Sequence, residues 1–109
     1  MDLAAQVEKN LVHYNLWTDV RVFRKDDRFA VLQGQPPSKL AENDAMQPEW
    51  VVPKSMNDVK CSMAEIAAWF DYVATISERP KRVTMAIVQD DGTVVYYFVH
   101  DGVTAPRQN

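Results

Sequence analysis

The stretch from Arg82 to His100, RVTMAIVQDDGTVVYYFVH, most constrains what this chain can fold into. Two runs rich in β-branched and aromatic residues, Val83–Val88 and Val94–Val99, flank the dipeptide Asp91-Gly92. Asp and Gly tolerate the positive φ of hairpin turns, and β-branched runs favour strands. The pattern therefore predicts a β-hairpin with a tight turn.

The second strand of this hairpin is apolar on both faces. Successive side chains of a strand alternate between faces, which gives two sets: Val94, Tyr96 and Phe98, and Val95, Tyr97 and Val99. A strand without a polar face has to be covered on both sides, by a helix on one side and, in so short a chain, by another subunit on the other. The sequence therefore predicts a subunit interface formed by Val95, Tyr96, Tyr97, Phe98 and Val99.

Two helices are predicted outside this hairpin. Apolar residues at helical spacing predict the first helix from Asp2 to Asn15, with Asp2 as its N-cap. A wide apolar stripe predicts the second helix, Met63–Ile76, which follows the capping-box pattern Ser62-x-x-Glu65. A start one turn earlier, at Asn57 or Asp58, is the alternative.

The remaining elements are three strands, predicted at Asp19–Arg24, Arg28–Gln33 and Trp50–Val52, the last ended by Pro53. Between them, Gly34–Glu49 contains three prolines and no sustained period, which predicts an exposed, flexible loop. The order α-β-β-β-α-β-β predicts a single α+β domain over residues 1–109, with a mixed or antiparallel sheet flanked by helices.

Charge and cysteine content limit the function classes. Fifteen acidic residues outnumber 12 basic ones, which argues against an independent nucleic-acid binder. One cysteine excludes an internal disulfide and, with only two histidines beside it, forms no zinc-binding pattern, so we expect neither metal nor cofactor. Since no stretch approaches the ~20 apolar residues of a membrane span, we expect a soluble, intracellular protein with no membrane partner.

The residues themselves predict no catalytic group. His13 lies on a helix flank and His100 at a strand end, and neither has an evident partner that would make it a base. The basic cluster Arg79, Lys81 and Arg82 has two interpretations, a solvated connection between helix and strand or a set of contacts to RNA phosphates. Both remain open at this level.

The block MAIVQDDGTVVYYFVHDG resembles the C-terminal strand pair of the tRNA-intron endonuclease family, in which an apolar strand, an acidic turn with Gly and a VYY strand recur. The resemblance is closest to the small non-catalytic eukaryotic subunit. It extends to Val51-Val52-Pro53, to the helix Met63–Ile76 and to the tail Pro106–Asn109. It implies a helix-flanked sheet related to the nuclease modules of that family.

Catalytic members of the family cut precursor tRNA with a Tyr, a His and a Lys, because the reaction needs a base, an acid and a cation. In this chain Phe23 and either Asp26 or Asp27 stand nearest to the Tyr and His positions. Only Lys81 or Arg82 falls near the Lys position. The resemblance therefore implies a non-catalytic, structural subunit.

The same resemblance implies the partners. We expect a heterotetramer in which the chain pairs with a catalytic Sen-thirty-four-like subunit through its last strand and meets precursor tRNA through the complex. The isolated chain is expected to be a homodimer through the same strand or a monomer. We expect a nuclear location or, alternatively, the cytoplasmic face of the mitochondrial outer membrane. The alternative function is an independent small RNA-binding or RNA-cleaving domain that uses Arg79, Lys81 and Arg82.

Overall fold

The computed structural model describes residues 3–26, 29–37, 48–58 and 62–101. Within these ranges the chain forms two α-helices, five β-strands and one 3-10 turn at Met56–Asp58. In chain order the helices and strands are α1 (Leu3–His13), β1 (Thr18–Arg24), β2 (Ala30–Gln35), β3 (Glu49–Ser55), α2 (Met63–Ile76), β4 (Arg82–Val88) and β5 (Val94–His100). This order confirms the predicted α+β architecture.

The five strands form one sheet in the order β1-β2-β3-β4-β5. Neighbouring strands are antiparallel except β3 and β4, which are parallel. A parallel pair needs a long crossover connection, and α2 lies within the segment that joins β3 to β4. The sheet is therefore mixed, as predicted, and β5 lies at one edge of it.

The two helices provide the buried apolar residues that cover the two faces of this sheet. Ala4, Val7 and Leu11 of α1 join one buried cluster, and α2 contributes Trp69 and Phe70 to the other. We predicted that the chain supplies only one cover for the last hairpin, but α1 covers the second face over β1–β4. Of the five strands, β5 is the one that α1 approaches least closely, so the cover by α1 is thinnest there.

The helix α2 begins and ends where the sequence predicts. Ser62 is its N-cap, and the Ser62 hydroxyl accepts a hydrogen bond from the Glu65 N–H at 3.0 Å. Trp69, Phe70 and Val73 are fully buried, whereas Met63, at the start of the predicted stripe, is exposed. The alternative start at Asn57 is wrong, because this residue belongs to the 3-10 turn before α2.

Several boundaries differ from the prediction. The strand β3 does not end before Pro53 but runs from Glu49 to Ser55. Pro53 follows Val51, the last residue of β3 that pairs with β2, so a residue without an N–H is tolerated where β3 has only β4 beside it. The predicted flexible loop is shorter, since Gly34 and Gln35 belong to β2 and Glu49 to β3. Its residues 38–47 lie outside the described ranges.

The first helix and first hairpin are close to the prediction. The helix α1 ends at His13, two residues early, and its predicted N-cap Asp2 lies outside the described residues. The strands β1 and β2 each shift by one or two residues. Val20 and Val22 pack on one face and Phe23 on the other, as the alternation predicts.

Candidate subunit interface at the edge strand

The strand β5 is paired on one side only. All seven of its residues lie opposite β4, from Val94 against Val88 to His100 against Arg82. No other described strand lies along its second side. Such an edge presents unpaired N–H and C=O groups, which can pair with a strand of another chain.

The five predicted interface residues have unequal exposure. Tyr97 is 54% exposed and Phe98 41% exposed, on opposite faces of β5. Val95, Tyr96 and Val99 are half-buried, with Tyr96 packed against the α1 cluster and Val99 against the α2 cluster. The edge strand therefore carries one exposed aromatic ring on each face, and the alternation predicted from the sequence is confirmed.

Tyr96 joins β5 to the end of α1. Its hydroxyl donates a hydrogen bond to Asn10 Oδ1 at 2.6 Å, and Asn15 Nδ2 donates to the same hydroxyl at 3.3 Å. Asn15 also donates to Asn10 Oδ1 at 2.9 Å. Burial raises the pKa of Tyr96 to about 12, and the hydrogen bond from Asn15 acts in the opposite direction. The tyrosine therefore stays neutral and keeps the hydroxyl proton that it donates to Asn10.

A cavity of ≈ 190 Å³ lies between this end of α1 and the last two strands. Its lining is mostly apolar and consists of Leu11, Asn15, Trp17, Thr84, Tyr96 and Phe98. Thr84 is 3% exposed, and its Oγ1 has no hydrogen-bond partner within the described part of the chain. The cavity thus combines a small apolar volume with one unsatisfied hydroxyl.

The loop beside this cavity has an unusual backbone. Leu16, between the lining residues Asn15 and Trp17, has φ = 60° and a side chain that is 66% exposed. A non-glycine residue in this region is uncommon and persists where its surroundings hold it. The Asn15 hydrogen bonds and the buried Trp17, whose N–H bonds Leu11 O at 2.9 Å, hold it here.

The basic cluster lies at the His100 end of the same edge strand, and both of its arginines bond carboxylates. Arg79 bonds Asp101 at 2.8 Å and Asp71 at 2.6 Å, and these carboxylates raise its pKa. Arg82 bonds the buried Glu49 at 2.7 Å, and its guanidinium lies 4.1 Å from the ring centroid of Phe98. Arg79 and Lys81 are exposed, and Arg82 is half-buried.

These three cations line one cleft of ≈ 640 Å³, together with Glu49, Glu78, Trp50 and His100. Counting Asp71 and Asp101, four carboxylates surround three permanent cations. Among the described residues, the cleft therefore has no excess of positive charge to attract a polyanion.

Residues at the positions of the family's catalytic groups have structural roles here. The ring of Phe23 packs 5.5 Å from that of Trp50, and Asp26 Oδ1 accepts a hydrogen bond from the Phe29 N–H at 2.8 Å. His13 and His100 are exposed at the ends of α1 and β5. Asp27 lies outside the described residues.

Within the described ranges, no group of three or more His, Cys, Asp or Glu side chains is placed to hold a metal ion. In the same ranges, neither helix is long and apolar enough to cross a membrane.

Sequence reasoning missed the cavity and the hydrogen bonds that frame it. Asn10 and Asn15 are ordinary polar residues at the end of a surface helix, 86 and 81 positions from Tyr96. The one available signal was Tyr96 itself, since a half-buried tyrosine usually finds a hydrogen-bond partner.

The amino-acid sequence is similar to a protein-family model and to two known proteins. A family model described as Sen15 protein matches residues 6–109. The tRNA-splicing endonuclease subunit SEN15 of Eremothecium gossypii is 41% identical over 108 residues, which cover 98% of this chain and 91% of that protein. A probable tRNA-splicing endonuclease subunit, tsp-1 of Neurospora crassa, is 35% identical over 81 residues, which cover 56% of this chain and 36% of that protein.

Both relatives are named as subunits of a splicing endonuclease, and the family match spans nearly the whole chain. The chain belongs to the Sen15 protein family. The resemblance that the last hairpin indicated is thereby confirmed.

Proposed function

We propose that this chain is a non-catalytic subunit of the tRNA-splicing endonuclease, a heterotetramer, and that it binds a catalytic subunit through β5. The relatives' names support the membership in that enzyme. The observation that carries the mode of binding is the edge strand itself, along whose second side no other described strand lies, with the exposed rings of Tyr97 and Phe98.

An edge strand of this kind suits a partner strand. Soluble proteins protect long edge strands with charges, proline, bulges or a covering element, because an open edge pairs with other chains. The central part of β5, VVYYFV, has none of the charges or prolines. A partner strand would satisfy its backbone groups and bury both rings, and aromatic residues at the centre of an interface commonly supply most of the binding energy.

The non-catalytic role follows from what the reaction requires. Attack of a 2′-hydroxyl on the adjacent phosphate needs a base, an acid for the leaving oxygen and a cation for the developing charge. Phe23 has no ionisable group, and Asp26 is held by the backbone of its own turn. Lys81 or Arg82 alone supplies only the cation.

The alternative, an independent RNA-binding or RNA-cleaving domain based on Arg79, Lys81 and Arg82, has less support. Both arginines already bond carboxylates, and the surrounding cleft is charge-compensated. A binding groove for nucleic acid is typically basic, with exposed aromatic rings for stacking.

The test is to express a tagged copy of this chain with each catalytic subunit of the enzyme and to assay cleavage of an intron-containing precursor tRNA. We expect a stable complex with a catalytic subunit, cleavage by the full assembly and none by the isolated chain. Cleavage by the isolated chain, lost on changing Lys81 and Arg82 to Ala, would overturn the proposal in favour of the alternative.

Two further expectations remain predictions. We predict that the tagged chain is nuclear when expressed at its natural level, which fluorescence microscopy against a mitochondrial marker checks. We also predict that the isolated chain can form a homodimer through β5, since each copy can occupy the place of the missing subunit. Light scattering over a range of concentrations measures this.

A further inference from the structure

The cavity beside β5 has the size and position of a socket for a partner side chain. We propose that it receives one aromatic side chain, a phenylalanine or tyrosine, from the catalytic-subunit strand that pairs with β5. This inference rests on the proposed function, because it requires that β5 is the surface that the catalytic subunit binds. It goes beyond that function by naming the cavity as the part of the β5 surface that selects the partner.

The position follows from strand geometry. Tyr96 and Phe98 line the cavity, and both side chains are on the α1 face of the outermost strand. A strand added to β5 would lie about 4.8 Å away, and every second side chain of that strand would project on the same face. Long side chains also reach diagonal neighbours about 7–8 Å away. The cavity is therefore within reach of a partner residue opposite Tyr96 or Phe98.

The volume and chemistry favour an aromatic ring. A cavity of about 150 Å³ lined by apolar side chains binds benzene, and this one measures ≈ 190 Å³. Leu11, Trp17 and Phe98 supply apolar contacts around such a ring. A tyrosine at this site would also bring a hydroxyl next to Thr84, whose own buried hydroxyl has no hydrogen-bond partner among the described residues.

The socket is also formed in advance. Asn15 is bonded to both Asn10 and Tyr96, which ties the loop after α1 to the edge strand before any partner arrives. The left-handed backbone at Leu16 turns an exposed leucine side chain outward beside this rim. A site that does not have to order itself on binding loses less free energy to conformational entropy.

The decisive variant fills the socket from within. Thr84→Phe places a ring of the chain's own in the cavity, so we expect a folded protein whose affinity for the catalytic subunit falls at least tenfold in titration calorimetry. Thr75→Phe is the matched control, because it adds the same ring at an exposed position of α2, outside the cavity lining. For this control we expect unchanged folding and an affinity within about threefold of the wild type, since surface substitutions usually change free energies by about 0.5 kcal/mol or less.

If Thr84→Phe does not fold, the wild-type complex still tests the idea. With methyl labels on the leucines of this chain and an unlabelled catalytic subunit, we expect nuclear Overhauser contacts between the Leu11 methyl protons and aromatic protons of the partner. The absence of any such contact in an assigned spectrum of the complex overturns the proposal.

The outcomes separate this inference from the proposed function. If the wild-type chain captures no catalytic subunit, the proposed function fails, and the socket fails with it. If the wild type, Thr84→Phe and Thr75→Phe bind equally well, β5 can still be the interface but the socket is not used. If Thr84→Phe abolishes only the homodimer and leaves capture intact, the ring comes from a second copy of this chain, which contradicts the proposed occupant.

Discussion

Replacing Tyr97 or Tyr96 by Asp tests two roles of β5 separately: its binding surface and its packing against the end of α1. The two residues are adjacent on one strand, and each substitution introduces the same carboxylate. Tyr97 is 54% exposed, whereas Tyr96 is half-buried and shares hydrogen bonds with Asn10 and Asn15. We expect Tyr97→Asp to fold and lose association, and Tyr96→Asp to lose stability first.

The magnitude of the association defect follows from the exposed area of Tyr97. A tyrosine side chain can bury roughly 200 Å², so a partner that covers the exposed 54% removes roughly 100 Å² from water. At about 25 cal/mol/Å² this contributes about 2.5 kcal/mol, or about 70-fold in Kd. The new carboxylate also loses water in the complex. We therefore expect Tyr97→Asp to raise Kd by at least about tenfold.

The magnitude of the folding defect follows from the bonds of Tyr96. Loss of its two hydrogen bonds costs about 2 kcal/mol, at about 1 kcal/mol for each. For a domain of this size that lowers Tm by roughly 8–16 °C. Tyr97→Asp, at a more exposed site without these hydrogen bonds, should lower the free energy of unfolding by only about 1 kcal/mol, because Asp is unfavourable within a strand.

The assay is thermal unfolding by circular dichroism for each isolated variant, followed by capture on an immobilised catalytic subunit at a temperature where both variants are folded. Light scattering gives the mass of the free protein. The reasoning is wrong if Tyr97→Asp is folded and binds with the wild-type Kd, or if Tyr96→Asp is as stable as the wild type.

Three further outcomes are expected. Ser62→Ala removes the N-cap bond to Glu65 and should lower the free energy of unfolding by about 1 kcal/mol in urea titration, with Ser77→Ala at the other end of α2 as a near-neutral control. If the basic cluster contacts tRNA only within the assembled enzyme, Lys81→Glu should weaken precursor-tRNA binding by that assembly in a way that fades with added salt, and leave assembly measured by gel filtration unchanged. Because folding raises the pKa of Tyr96 to about 12, from about 10 in the unfolded chain, its contribution is complete below pH 10 and is lost as pH rises towards 12. Tyr96→Phe should therefore flatten the fall of Tm over this range, whereas exposed Tyr14→Phe should not, and equal slopes in all three proteins would contradict this.

Local signals in the sequence determined the elements that depend on a few neighbouring residues. The start of α2 follows from Ser62 and Glu65, because the Glu65 N–H bonds the Ser62 hydroxyl within the first turn of the helix. The hairpin follows from a turn in which Gly92 adopts φ = 91°, between two runs of strand-forming residues. The two-sided apolarity of β5 follows from the period of two alone.

Contacts between distant segments decided the rest. The strand β3 can continue through Pro53 because its pairing with β2 ends at Val51 and Pro53 pairs only with β4, a relation between strands that no local pattern contains. The cover of the second sheet face depends on where α1 crosses the sheet. The cavity is framed by hydrogen bonds that join Asn10 and Asn15 to Tyr96, residues more than 80 positions apart in the sequence. The sequence alone could indicate that β5 needs a partner, but the shape that receives it depends on how the end of α1 packs against the last strand.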